Sequence, residues 1–158
     1  MALIDVVAID QPFVGSRAVW NMKEVKEIVC SRAEADYIGL SSIGGSVCPV
    51  GPEDDCGLYL LLGDGHIEAR ATVLPGTIEE VGIQKFRKIA LGEEIELSCK
   101  PCVISMDGER EIRVKESDEV KVQLARDGPK AVDISQTIKI AARRVFLQKR
   151  ITNKGNGG

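Results

Sequence analysis

Two stretches carry residue types and spacings that could do chemistry. In "CKPC" the thiols of Cys99 and Cys102 stand three apart, the spacing of a redox dithiol or of half a zinc site. A four-cysteine zinc site needs a second such pair, but Cys48 and Cys56 lie eight apart and His66 is the one histidine, so no metal is assigned. No helical pattern follows Cys102, which argues against a thioredoxin-like motif. The five cysteines are an odd number in a chain without an export signal, so free thiols are expected.

The second stretch, "YIGLSSIGGSVCPVGP", covers Tyr37 to Pro52 and reads as a buried strand running into a loop of serine, glycine and proline. Gly44 and Gly45 have no Cβ, so their amides can approach a ligand closely, while Ser41 and Ser42 supply hydroxyls. A flat, hydroxyl-bearing ligand such as a nucleotide ribose suits such a loop, although any tight strand exit has the same composition. "GDGH" and "MDGE" are better read as hairpin turns than as phosphate cradles, because neither precedes a helix whose N-terminus could hold an anion. His66 follows one of these turns without a carboxylate near it in sequence and is read as solvated. The acidic pairs Glu79-Glu80, Glu93-Glu94 and Asp118-Glu119 are read as solvated turn edges, and with no serine elbow or zinc helix no catalytic residue is assigned.

The elements that must position these residues follow from periodicity. "LIDVVAI" is an apolar run that suits a strand covered on both faces, and "VWNMKEVKEIVCSRA" changes period. Met22, Val25, Ile28 and Val29 fall on one helical face there, with Asn21 and Glu24 as a capping-box variant, which predicts a helix. From Leu58 onward the pattern is β. Asp64-Gly65, Asp107-Gly108 and Asp127-Gly128 are read as hairpin turns. Ile67, Ala69, Ala71 and Val73 alternate, as do Ile95 with Leu97 and Val120 with Val122 and Leu124. "SQTIKIAARRVF" predicts a closing helix with Ser135 as N-cap and Ile138, Ala142 and Val145 inward. The fold expected is mainly β, an antiparallel β-sandwich with one or two short α-helices, over residues 1–147, followed by a flexible tail at 148–158.

Bulk properties narrow the function classes. A chain of 158 residues can bury roughly 70% of its unfolded surface, enough for one core without metal or disulfide support. Aromatics are 4%, so Val, Ile and Leu must fill the interior. A net charge of −3 leaves no electrostatic footprint for nucleic acid. No apolar run approaches the ~20 residues that span a bilayer. The N-terminus has no basic segment with a cleavage site, and a cytoplasmic location without membrane partners is expected.

Taken in order, "ALIDVVAI", "IGLSSIGGSVCPVG", "VLPGTIEEVGIQKFRKIALGEEIEL" and "VISMDGEREI" resemble the C-terminal half of the ATP-NAD kinase superfamily, most closely its acetoin-catabolism X-type branch, over about Ala2 to Phe146. The resemblance implies a β-sandwich that grips NAD at a boundary with an N-terminal α/β domain, which holds the ATP phosphates and catalytic aspartate and has no counterpart here. "LGDGH" lacks the first glycine of the phosphate loop and lies in the wrong half, so Asp64 inherits no catalytic role. The family's Asn-Glu pair falls on Ile4 and Asp5, and its aspartate and Ser-Thr-Pro-Thr-Gly run on Asp36, Ser41, Ser42 and Gly45, with Ile43 in place of proline.

By resemblance, then, Asp5, Asp36, Ser41, Ser42, Gly44 and Gly45 would bind NAD or a related nucleotide, and ATP with Mg²⁺ would bind only alongside the missing domain. The expected function is a nucleotide-binding half of an ATP-NAD kinase-like protein, catalytically incomplete alone. The alternative is a non-catalytic interaction or oligomerisation domain with a decayed cleft. The implied partners are an N-terminal α/β domain or separate subunit and further copies of the chain.

Overall fold

Aliphatic residues at every second position drive the strands of this chain, and their order decides which side chains meet. The structure, a computed structural model, describes residues 1–11, 21–130 and 132–144. The chain divides into two units, Met1–Arg126 and Asp127–Gly158.

In the first unit, β1 (Asp5–Ile9) lies between β2 (Val25–Cys30) and β6 (Cys102–Met106), antiparallel to both. β2 pairs with β3 (Cys56–Leu74), β3 with β4 (Thr77–Ala90), and β6 with β7 (Arg110–Val114). The sheet order is therefore β4-β3-β2-β1-β6-β7, with β4 and β7 as its outer strands. A second, two-stranded sheet pairs β5 (Glu94–Glu96) with β8 (Lys121–Gln123).

Each face of the large sheet has its own apolar cluster. Val7, Ile9, Ile28, Cys30, Leu58 and Leu60 pack on one face against Ile43 of α1 (Ser41–Val47) and against Ala69, Ala71, Val73 and Val81 from the far half of the β3–β4 hairpin. Ala8, Val29 and Ile104 pack on the other against Ile95 and Leu97, with Val120, Val122 and Leu124 half-buried beside them. Leu58 and Leu60 are wholly buried, and each such side chain contributes roughly 1.5–3 kcal/mol. The architecture is thus a mainly β, antiparallel sandwich with two short helices, as expected.

Several local readings are corrected. The helix expected from Asn21 onward is the strand β2. A bulge at Lys26, where the register with β1 shifts between Ala8 and Ile9, turns Val25 and Ile28 to the same face although they stand three apart. That spacing imitates a helical period. The expected capping residues instead form the turn into the strand, Lys23 N–H donating to Asn21 Oδ1 at 3.2 Å and Glu24 N–H to the Asn21 carbonyl at 2.9 Å.

Asp64-Gly65 is not a hairpin turn either. β3 continues through it as a bulge, Leu62 and Ile67 both lying opposite Ile83. A Cβ on Gly65 would overlap the Ile83 carbonyl and stand 2.8 Å from Gln84 Cα, so only glycine lets the two backbones approach. The bulge redirects the strand so that its second half folds over the α1 face. Reversal occurs at Pro75-Gly76, where Gly76 has φ 76° and Leu74 pairs with Thr77.

Asp107-Gly108 does turn as expected, with φ of 53° and 67° at the two positions between β6 and β7. After Asp127-Gly128 no strand follows among the described residues. In the second unit α2 (Ile134–Arg143) is capped by Asp133, whose Oδ1 accepts from Gln136 N–H at 2.8 Å, while Ser135 lies inside the helix. No residue of α2 is buried, and Ile138, expected inward, is 52% exposed. Val145 and the expected tail at 148–158 lie outside the described residues.

Candidate functional site

The segment read as a ligand loop is a helix. Leu40 starts α1 in right-handed backbone without a side-chain cap, and Ser41 through Gly45 are all buried. A Cβ on Gly44 would stand 2.8 Å from Leu58 Cδ2 and 3.0 Å from Ala33 Cβ. One on Gly45 would overlap the Ala35 nitrogen and the Glu34 carbonyl carbon and lie 2.7 Å from Glu34 Cα. Both glycines therefore admit the protein's own β3 and 33–35 segment against the helix, which corrects the reading of a bare peptide wall. The Ser42 hydroxyl donates to the Gly39 carbonyl at 2.7 Å and lies 3.3 Å from that of Thr72, and Ser46 Oγ donates to the Ser42 and Arg70 carbonyls, both at 2.9 Å. These hydroxyls tie α1 to its surroundings.

Asp5 and α1 nevertheless share a face of the sheet. Asp5 pairs with Cys30 and Cys30 with Leu58, and residues directly opposite in antiparallel strands project the same way. Asp5 is half-buried, and its carboxyl is raised to about 6 by burial first and then by the charge of Asp107. Burial, followed by the Asp5 charge, also pushes the Cys30 thiol well above its ordinary range. Asp107 itself is an anchor: its carboxylate accepts from the backbone N–H groups of Leu3 and Ile4 at 2.8 Å and of Asp5 at 3.2 Å. Asp36 sits in the exposed turn before α1.

Four large apolar side chains are exposed on the segments around these residues. Leu3 is 56% exposed, Ile4 45%, Tyr37 48% and Ile38 58%. The two segments are tied to successive residues of one strand exit, Ser31 Oγ donating to the Leu3 carbonyl at 2.7 Å and Arg32 to the Tyr37 hydroxyl at 3.0 Å. Arg32 also lies 5.3 Å from the Tyr37 ring centroid and pairs with Glu34 at 2.6 Å, which fixes the tyrosine.

On the opposite face lies a polar centre that sequence reasoning missed. Glu27 is wholly buried and accepts four hydrogen bonds: Oε1 from Ser98 N–H at 2.8 Å, Ser98 Oγ at 2.9 Å and Cys99 N–H at 2.6 Å, and Oε2 from the Tyr59 hydroxyl at 2.7 Å. Burial, then the bond to Glu27, holds the Tyr59 hydroxyl protonated well beyond its usual range. A carboxylate supplied with four donors can stay buried without a cation. The signal was present as the lone acid between apolar residues in "VKEIVC", but a helical period sends it to solvent.

Glu27, Ser98 and Cys99 line an open groove of about 540 Å³ that is also bounded by Asp10, Lys26 and Lys100. Burial first, and then neighbouring negative charge led by Cys102, pushes the Cys99 thiol up to about 12, and burial raises Cys102 as well. Among the described residues no group of three or more His, Cys, Asp and Glu side chains could hold a metal ion, and no helix is long and apolar enough to cross a membrane.

Comparison with known proteins places this geometry in a family. Residues 1–127 match the model of the acetoin catabolism protein X C-terminal domain. Acetoin catabolism protein X of Cupriavidus necator is 30% identical over 151 residues, covering 94% of this chain and 42% of the relative. The chain thus spans less than half the length of that relative. No solved structure gives a significant match.

Proposed function

Because the chain belongs to the acetoin catabolism protein X C-terminal domain family, we propose that it serves as a docking sandwich, without catalysis of its own, that seats another part of such a protein on the corner around Tyr37. One observation carries this reading: four large apolar side chains, Leu3, Ile4, Tyr37 and Ile38, are each 45% or more exposed on two segments joined through Ser31 and Arg32. Large apolar side chains left in solvent mark interaction sites where they gather into a patch. The relative supplies a candidate cover, because 58% of its length, the remainder after the 42% matched, lies outside the stretch shared with this chain.

The test mixes this chain with the unmatched portion of the Cupriavidus necator relative and follows the mixture by size-exclusion chromatography with light scattering. Co-elution that is lost on Tyr37→Ser with Ile38→Ser supports the proposal. Independent elution of the two wild-type pieces sinks it, and a complex that survives the double substitution moves the docking surface elsewhere.

A second reading is that a nucleotide such as NAD binds at the same corner, shared with that partner, as the resemblance to the ATP-NAD kinase superfamily implies. What favours it is Asp5, a half-buried carboxyl on the α1 face that could accept from a ribose hydroxyl, with Asp36 exposed before the helix. Backbone amide NMR shifts between Asp36 and Ser46 during titration with NAD, NADP and ATP, with and without the partner piece, check it. Shifts confined to the complex support a shared site, and none in either state removes it. Kinase activity and binding of ATP with Mg²⁺ would need an α/β domain of the kind the resemblance implies, and light scattering of the chain alone tests further copies of the chain as partners.

A further inference from the structure

The docking reading leaves the "CKPC" segment unused, and the structure gives it a distinct environment. Cys102 opens β6 and is buried, while Cys99 is half-buried in the segment before it. The two thiols lie close enough for each to shift the titration of the other. Two further facts bear on what the pair can do. The Cys99 backbone is held in place, its N–H donating to Glu27 Oε1 at 2.6 Å and that of Ser98 at 2.8 Å. Cys99 also lines an open groove of about 540 Å³, from which a small molecule can reach it.

We propose that Cys99 and Cys102 form an oxidisable dithiol site that takes up a low-molecular-weight disulfide through this groove and closes into an intramolecular disulfide. The Cys99 thiol loses its proton to solvent, and its sulfur attacks one sulfur of the small disulfide RSSR. That S–S bond breaks, and the released RS⁻ takes up a proton to leave as RSH. The Cys102 sulfur, losing its own proton, then attacks the Cys99 sulfur of the mixed disulfide and expels the second RSH. The protein pair is oxidised by two electrons, and one RSSR is reduced to two RSH.

The environment sets the character of the site. Lys100 favours the thiolate of Cys102 but does not offset burial at Cys99, whose thiol, raised to about 12, is protonated at neutral pH. Oxidation is therefore slow near pH 7 and accelerates by about tenfold per pH unit toward pH 9, following the thiolate fraction. Strongly oxidising dithiols owe their potential to a stabilised thiolate, which this pair lacks, so its disulfide persists once made. A pair of this kind reacts slowly and is set apart from both turnover catalysts and low-pKa sensor thiols.

The probe is oxidised glutathione, added to the full chain at pH 7, 8 and 9, quenched by alkylation and read by peptide mass mapping. The expected product links Cys99 to Cys102 at a rate rising with pH, while Cys30 stays reduced. In Cys102→Ser the reaction should stop with glutathione retained on Cys99, and in Cys99→Ser the Cys102 thiol should remain free. Two results would overturn the proposal: a glutathione adduct that persists on wild-type Cys99 without resolving, or labelling of Cys48 and Cys56 while Cys99 and Cys102 stay unreacted. Circular dichroism of both variants against the wild-type spectrum shows that each result comes from folded protein.

Discussion

Glu27 and Asp5 are both acids drawn into the large sheet, on opposite faces, and they are treated in opposite ways. Glu27 is wholly buried yet receives four donors, so its charge is solvated by the protein. Asp5 is half-buried and has a single donor, the backbone of Asp107, too little to offset burial and the Asp107 charge beside it. The same chemical group is structural where the fold satisfies it and responsive where the fold leaves it open. The open one lies at the bare corner proposed for docking.

The largest effect that tests this contrast is removal of the satisfied acid. Glu27→Ala leaves a void at a wholly buried position and removes the acceptor of the half-buried Tyr59 hydroxyl and Cys99 N–H, and should lower stability by roughly 3–5 kcal/mol in guanidinium unfolding. A loss under about 1 kcal/mol would show that Glu27 is not the organising centre of its face.

Next in size is Gly45→Ala, expected to cost about 2–3 kcal/mol because its new methyl group meets backbone rather than a movable side chain. Gly44→Ala should cost less, since the nearest atom is the tip of Leu58. Thermal melts of the two variants rank them. Equal and negligible losses would mean that the glycines are not there for packing, and would revive the ligand-wall reading of α1.

The third effect is a pH dependence. The Asp5 carboxyl stands at about 6 in the folded chain against an ordinary 3.8, so the folded state keeps its proton to higher pH than the unfolded state. Its contribution to stability is therefore greatest below about pH 4, falls as pH rises to about 6 and stays low above that. Asp5→Asn should flatten this slope and stabilise the chain at pH 7 by about 1 kcal/mol, measured as the difference between variant and wild type at pH 4.5 and pH 7. An unchanged slope would erase the distinction between the two acids. The smallest expected change is that of Tyr37→Ser with Ile38→Ser, within about 0.5 kcal/mol per substitution in a urea melt, because exposed side chains lose little. A large loss would mean that these residues serve the fold and not a partner.

Much of the sandwich was legible because alternation is a direct image of a two-faced strand. Ala69, Ala71 and Val73, and separately Ile95 with Leu97, are buried where the pattern puts them. The failures share one physical cause. A bulge inserts a residue and breaks the period of two, so Lys26 made a strand resemble a helix and Gly63 to Gly65 made a continuing strand resemble a turn. Both hid long-range geometry, the first by masking Glu27 and the second by hiding how the hairpin folds over α1. Asp5 and Asp36 could be singled out only by resemblance. Their placement, like the burial of Ser42, depends on pairings between distant segments that local pattern does not encode.

The outer strands of the large sheet carry a consequence for how this molecule can fail. β4 bears Glu79, Glu80, Lys85, Arg87 and Lys88, and β7 bears Arg110, Glu111 and Arg113. A strand arriving from another molecule would have to dehydrate those charges before reaching the ladder, which blunts runaway fibre growth at either margin. Concentrated solutions should therefore stay free of thioflavin-positive material even where the apolar corner remains uncovered.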